Sequence, residues 1–184
     1  SKKFSCLEQN KKYISIIKNK TNANVYTSLK NIKKKFDIIY GIHFIEHLEN
    51  PIKFLKGLKK ILHQNGTLFM VTPNHDDFYM NTLPKDKLQK YKTFIYHAAH
   101  PYYFNKKSFD YILNKSGFKN NFIHTDQDYS ILNYINWFSS GEPSNNISSA
   151  KKTNNNLKNL DHLFKNYLNK KGYGSNLWSN SINN

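Results

Sequence analysis

The chain of 184 residues carries 28 basic residues, every one a lysine, against 12 acidic ones, for a formal net charge of +16. Without arginine's planar fork it is poorly equipped to read guanine or phosphate in nucleic acid, and lysine, asparagine and isoleucine abound together as in A/T-rich coding, so no nucleic-acid partner is expected. The length suits one domain with a sizeable core. A single cysteine, Cys6, excludes an internal disulfide, and no 18-residue apolar run or signal peptide is visible, so a cytoplasmic protein without membrane insertion is expected.

In chain order, residues 4–7 predict a short strand ending at Glu8, residues 11–19 a helix, and residues 24–26 another brief strand. The apolar run 38–42 predicts a strand buried on both faces of a parallel sheet. Asn50 before Pro51 is an N-cap with proline at the first helical position, and Ile52, Leu55, Leu58, Ile61 and Leu62 follow at helical spacing up to Asn65-Gly66. Residues 67–72 are a second apolar, partly β-branched run. Strand, crossover helix and strand make a right-handed parallel unit, whose ligands bind beyond the carboxyl ends of the strands.

The connection 73–104 is long enough to be functional and holds His75, Asp76, Asp77, His97 and His100 among five tyrosines, with a short helix expected at 85–91. Its aromatic rings suit a sugar-sized acceptor or, equally, a cover for the sheet edge. Asn105 caps a helix carrying Phe109, Ile112 and Leu113 and ending at Gly117, and residues 118–125 predict a strand. A buried helix is expected at 130–138, a polar mobile stretch at 141–156, an amphipathic helix at 157–168 and a closing strand around Leu177, Trp178 and Ile182.

Phe36-Asp37-Ile38-Ile39, then His43-Phe44-Ile45-Glu46-His47-Leu48-Glu49-Asn50-Pro51, a lysine-rich helix, Asn65-Gly66-Thr67-Leu68-Phe69 and Pro73-Asn74-His75-Asp76-Asp77 together resemble the class I S-adenosylmethionine-dependent methyltransferases. The branch they resemble is that of sugar and surface-polysaccharide biosynthesis. His100-Pro101-Tyr102-Tyr103-Phe104-Asn105 and Ser116-Gly117-Phe118 agree with it, and the resemblance covers residues 4–142. It implies an α/β, doubly wound, mostly parallel sheet of Rossmann-like type, with residues 1–126 a partial cofactor-binding domain and residues 127–184 a helical extension with a possible closing strand. It also implies a first strand and glycine-rich turn some twenty residues before Glu8, and no such glycine pattern is present. The chain is therefore expected to be an N-terminally incomplete methyltransferase.

Glu8 stands where a nucleotide-binding α/β fold places the acid that accepts hydrogen bonds from ribose hydroxyls, although lone acids are common at strand ends. The resemblance adds Gln9, Ser28, Tyr40 and His43 as contacts to S-adenosylmethionine, His47 and His75 as catalytic bases, and His100 and Asp76 as contacts to a small acceptor. His43-x-x-Glu46-His47 also matches the inverted zincin signature, which needs one continuous helix through both histidines; here a strand run ends at Ile42 and Pro51 starts a new helix. No metal is assigned. The reading is methyl transfer to a small, sugar-like acceptor, with a non-catalytic remnant acting through partners as the alternative and a zinc hydrolase third.

Overall fold

A computed structural model describes residues 4–96, 98–144 and 155–183. Six strands alternate with seven helices: β1 (Ser5–Leu7), α1 (Lys11–Lys20), β2 (Asn24–Tyr26), β3 (Phe36–Ile42), α2 (Pro51–Lys60), β4 (Leu62–Pro73), α3 (Phe78–Thr82), α4 (Lys85–Ile95), α5 (Lys106–Lys115), β5 (Lys119–Asp126), α6 (Ile131–Ser140), α7 (Asn155–Lys171) and β6 (Asn176–Ile182). They form two sheets. β1 and β2 pair in parallel, and a separate four-stranded sheet runs β3-β4-β6-β5, with β3 parallel to β4 and β6 antiparallel to both its neighbours. This is the expected Rossmann-like α/β architecture.

The unit β3–α2–β4 forms as the sequence predicts. Asn50 accepts the Lys53 N–H at 2.9 Å with Pro51 at the first helical position, which satisfies one of the donors that a helix start leaves without an intrahelical partner. The helix stops at Lys60, earlier than Asn65-Gly66, because Leu62 leaves the helical register to pair with Phe36 at the start of β4. Asn65, at φ 61, then turns inside the strand's irregular opening.

One face of the larger sheet holds the core. Leu68 and Met70 of β4, Leu177 of β6 and Ile123 of β5 pack with Leu55 and Leu58 of α2 and Phe109, Ile112 and Leu113 of α5. These side chains are nearly all removed from water, each contributing roughly 1.5–3 kcal/mol of transfer free energy. Asn105 closes a reciprocal cap with Ser108 at the start of α5, which fixes that helix against the sheet.

The opposite face corrects the expectation that β3 is buried on both sides. Ile38, Tyr40 and Ile42 share that face and are 49%, 66% and 58% exposed, while only Ile39 reaches the core. Tyr40 stacks on Phe69 of β4 at 5.1 Å, and Phe122 of β5 continues the row at 66% exposure. Among the described residues, the edge of β3 away from β4 and the edge of β1 away from β2 pair with nothing.

The C-terminal strand forms, and lies inside the sheet between β4 and β5. α7 begins at Asn155, so the end of the stretch expected to be mobile is helical; residues 145–154 lie outside the described residues. Two helices differ from their expected burial. α6 buries Asn133 and Trp137 but leaves Ile135 and Phe138 half exposed, and α7 buries Asp161 and Leu168 while Leu160, Leu163 and Tyr167 face out. Asp161 explains the inversion: its carboxylate accepts the Ile131 N–H at 2.7 Å, binding the N-terminus of α6.

Candidate active site

The carboxyl ends of β3 and β4 face a segment, residues 98–104, that folds back over them. Three bonds hold it there: the His75 N–H donates to the Phe104 carbonyl at 2.8 Å, Tyr102 Oη to the Glu49 carbonyl at 3.1 Å, and Tyr103 Oη to the Ile95 carbonyl at 3.2 Å. The result is a continuous row of five rings. His47 meets His100 edge-on at 4.5 Å, His100 meets Tyr103 at 5.6 Å, Tyr103 meets Tyr96 at 4.6 Å, and Tyr96 stacks with His75 at 6.1 Å. Four sequence-predicted residues, His47, His75, Asp76 and His100, thus gather along one line, and both expected bases stand at its ends.

At one end, Asp76 Oδ1 lies 3.0 Å from His75 Nδ1, and Tyr96 Oη lies 2.8 Å from His75 Nε2. A carboxylate accepts only, so the ring carries its proton on Nδ1 and Nε2 accepts from the phenol. Burial, with Tyr103 and the carboxylates of Asp77 and Asp76 nearby, raises the Tyr96 pKa and keeps that phenol protonated. Tyr96 and Tyr103 stood in the sequence only as two of many aromatics, and no spacing marked them as partners of His75.

At the other end, His47 Nδ1 lies 2.8 Å from the Ala99 carbonyl and donates to it. Glu46, beside it, is a buried acid at 2% exposure whose Oε2 accepts from Thr72 Oγ1 at 3.0 Å. His43, at φ 46, brings Nδ1 to 3.6 Å from Glu46 Oε1. That carboxylate raises the pKa of His43; burial pushes the Glu46 pKa up, but His43, its own backbone and Thr72 outweigh it and the net shift is down. The turn 45–47 is a single 3₁₀ turn rather than an α-helix, so His43 and His47 do not form the zincin pair.

Of the residues expected at the cofactor, His43 adjoins the His47 end of the row through Glu46, while Glu8, Ser28 and Tyr40 sit in settings of their own. Glu8 follows β1, and its Oε1 accepts the N–H groups of Gln9 and Asn10 at 2.7 and 2.8 Å. Ser28 caps a 3₁₀ turn through the Lys30 N–H, and Tyr40 lies on the open face of β3. β1 and β3 belong to different sheets, with Glu8 following the one and His43 the other.

Beneath His75, Asp77 caps α3 through the Met80 N–H at 2.8 Å and accepts from Tyr91 Oη at 2.6 Å. Burial pushes its pKa up to about 6, against the pull of those two bonds. A carboxyl with a raised folded-state pKa favours folding fully below its unfolded value, and loses that contribution as pH rises through 6. The stability difference between the parent and Asp77→Asn is therefore expected to fall by roughly 2 kcal/mol between pH 4 and 7. Urea unfolding of both proteins across that range checks it; a difference that does not change with pH would remove Asp77 as the titrating group.

A profile of the methyltransferase domain family matches residues 6–121. No curated protein matches the sequence. Among solved structures, an S-adenosylmethionine-dependent methyltransferase from Thermotoga maritima is 14% identical with a TM-score of 0.62, over 98% of this chain and 73% of that one. A second, from Archaeoglobus fulgidus, is 17% identical with a TM-score of 0.57 over 97% and 75%. The plantazolicin methyltransferase BpumL, in complex with a triazolic substrate analogue and S-adenosylhomocysteine, is 18% identical with a TM-score of 0.55 over 98% and 67%. These likenesses are of fold, and the profile spans well over half of the 184 residues: the chain belongs to the methyltransferase domain family.

Proposed function

We infer that this chain takes part in S-adenosylmethionine-dependent methyl transfer to a small, sugar-like acceptor. The observation that carries the reading is the row from His47 to His75, lying at the carboxyl ends of β3 and β4 where α/β sheets bind ligands. When bound, the cofactor supplies an electrophilic methyl group. The residues present fit part of it: Glu8 commits Oε1 to two backbone N–H groups and leaves Oε2 for a ribose hydroxyl. Gln9, Ser28, Tyr40 and His43 are the further contacts proposed from the resemblance.

The acceptor lies along the ring row, where aromatic faces take its apolar side and Asp76 and His100 its hydroxyls. His75 receives the acceptor's proton at Nε2, directly or through the Tyr96 phenol, while Asp76 holds the opposite ring nitrogen. His47 is the alternative base, its Nδ1 being spent on the Ala99 carbonyl and its Nε2 left for chemistry.

We propose, further, that a strand and helix from outside residues 1–184 complete the cofactor site by pairing between β1 and β3. Two observations support this: among the described residues the outer edges of β1 and β3 are both unpaired, and the face of the larger sheet with Ile38, Tyr40, Ile42 and Phe122 stays about half exposed or more. Glu8 then lies within the completed site. Removing a charged acceptor of a hydrogen bond costs about 1.5–3 kcal/mol, so Glu8→Ala in the full gene product is expected to weaken S-adenosylmethionine binding by about tenfold or more. Unchanged affinity by calorimetry would sink the ribose assignment.

A further inference from the structure

We propose that Glu46, His47 and His100 bind a divalent transition-metal ion of borderline softness, such as Zn²⁺, in preference to Mg²⁺ or Ca²⁺. One ligand atom from each residue lies within 4.8 Å of the other two. Bonds of about 2.0–2.2 Å around a tetrahedral ion bring such donors to roughly 3.3 Å from one another. The remaining ångström or so of closure falls to the imidazoles, since His47 is exposed and His100 half-buried, whereas Glu46 is fixed.

Three features point to a cation here and not merely to a polar cluster. Glu46 is buried, yet its Oε1 has no hydrogen-bond partner and lies 3.6 Å from His43 Nδ1. A buried carboxylate oxygen without a hydrogen-bond partner is open to a cation, and a metal ion would satisfy it. Its other oxygen is held by Thr72 Oγ1, and His47 gives Nδ1–H to the Ala99 carbonyl. Metal-ligating residues are fixed by outer bonds of this kind, which here leave the Nε2 lone pair of His47 for a ligand. Two imidazoles and one carboxylate select zinc, iron(II) or cobalt(II) over the hard cations, which prefer all-oxygen sites.

This set differs from the zincin reading of the sequence. It leaves out His43, needs no helix through His43 and His47, and recruits His100 from 53 residues further on. The proposal does not rest on methyl transfer, because metal binding is measured without turnover.

The test is metal titration of the untagged, metal-stripped full gene product, using a chromophoric chelator as competitor for Zn²⁺ and the visible spectrum of Co²⁺ as a second readout. One equivalent of zinc per chain is expected, undisturbed by millimolar Mg²⁺. His47→Asn, His100→Asn and Glu46→Gln should each weaken zinc by about tenfold or more and abolish the cobalt bands, while His162→Asn on α7 should change neither. Thermal melts of the metal-free proteins separate lost ligation from lost folding. If Glu46→Gln melts early, the two histidine variants, altered at exposed and half-buried rings, decide the matter. Absence of stoichiometric binding, or binding that survives both histidine changes, overturns the proposal.

Discussion

His75→Ala is expected to lower turnover by about 10²- to 10⁴-fold while leaving S-adenosylmethionine affinity nearly intact. Asp76 on one ring nitrogen and Tyr96 on the other fix both the tautomer and the plane of His75. A base so fixed saves the reorganisation that a free imidazole would need at the moment of proton transfer. Tyr96→Phe keeps the ring row and removes only the phenolic proton, so its loss should be smaller. His47→Ala discriminates the two candidate bases. As a metal ligand or structural anchor, His47 should affect metal content or acceptor KM; as the base, it should reproduce the His75 effect on kcat. A His75→Ala enzyme with full turnover excludes His75, and a joint loss of turnover and cofactor affinity marks it as structural.

The parts of this molecule that were legible in the sequence are those decided by local chemistry. Asn50-Pro51 could only start a helix, and the Asn105–Ser108 cap, the apolar set of α5 and the Gly117 stop are likewise local. β6 was harder to read because Ser179 and Ser181 lie on the core side of a strand flanked on both edges, where apolar residues are the rule. Its antiparallel insertion depends on β4 and β5, which lie far away in sequence. The exposure of β3 has the converse cause: Ile38, Tyr40 and Ile42 carry the composition of a strand covered on both faces, and among the described residues nothing buries them. Of the site, the histidines and Asp76 could be named singly. That His47 meets His100, and His75 meets Tyr96, follows only from the fold-back of 98–104, which the long-range hydrogen bonds His75–Phe104, Tyr102–Glu49 and His47–Ala99 impose.

The second large effect concerns the unpaired edges of β1 and β3. A strand with a free edge and an apolar face is a template for association. No residue of β1 or β3 is buried, and Ile38, Tyr40 and Ile42 on the open face are 49%, 66% and 58% exposed. Residues 1–184 by themselves are therefore expected to associate or melt without a sharp transition, and to gain a cooperative melt when the proposed strand and helix are supplied.

Equilibrium dialysis with labelled S-adenosylmethionine, run side by side on residues 1–184 and on the full gene product, tests the account most directly. The account predicts binding on the order of micromolar by the full product, weakened by Glu8→Ala, and negligible binding by residues 1–184 alone. A full product that does not bind the cofactor, or an isolated 1–184 chain that binds it equally well with a cooperative melt, would contradict it.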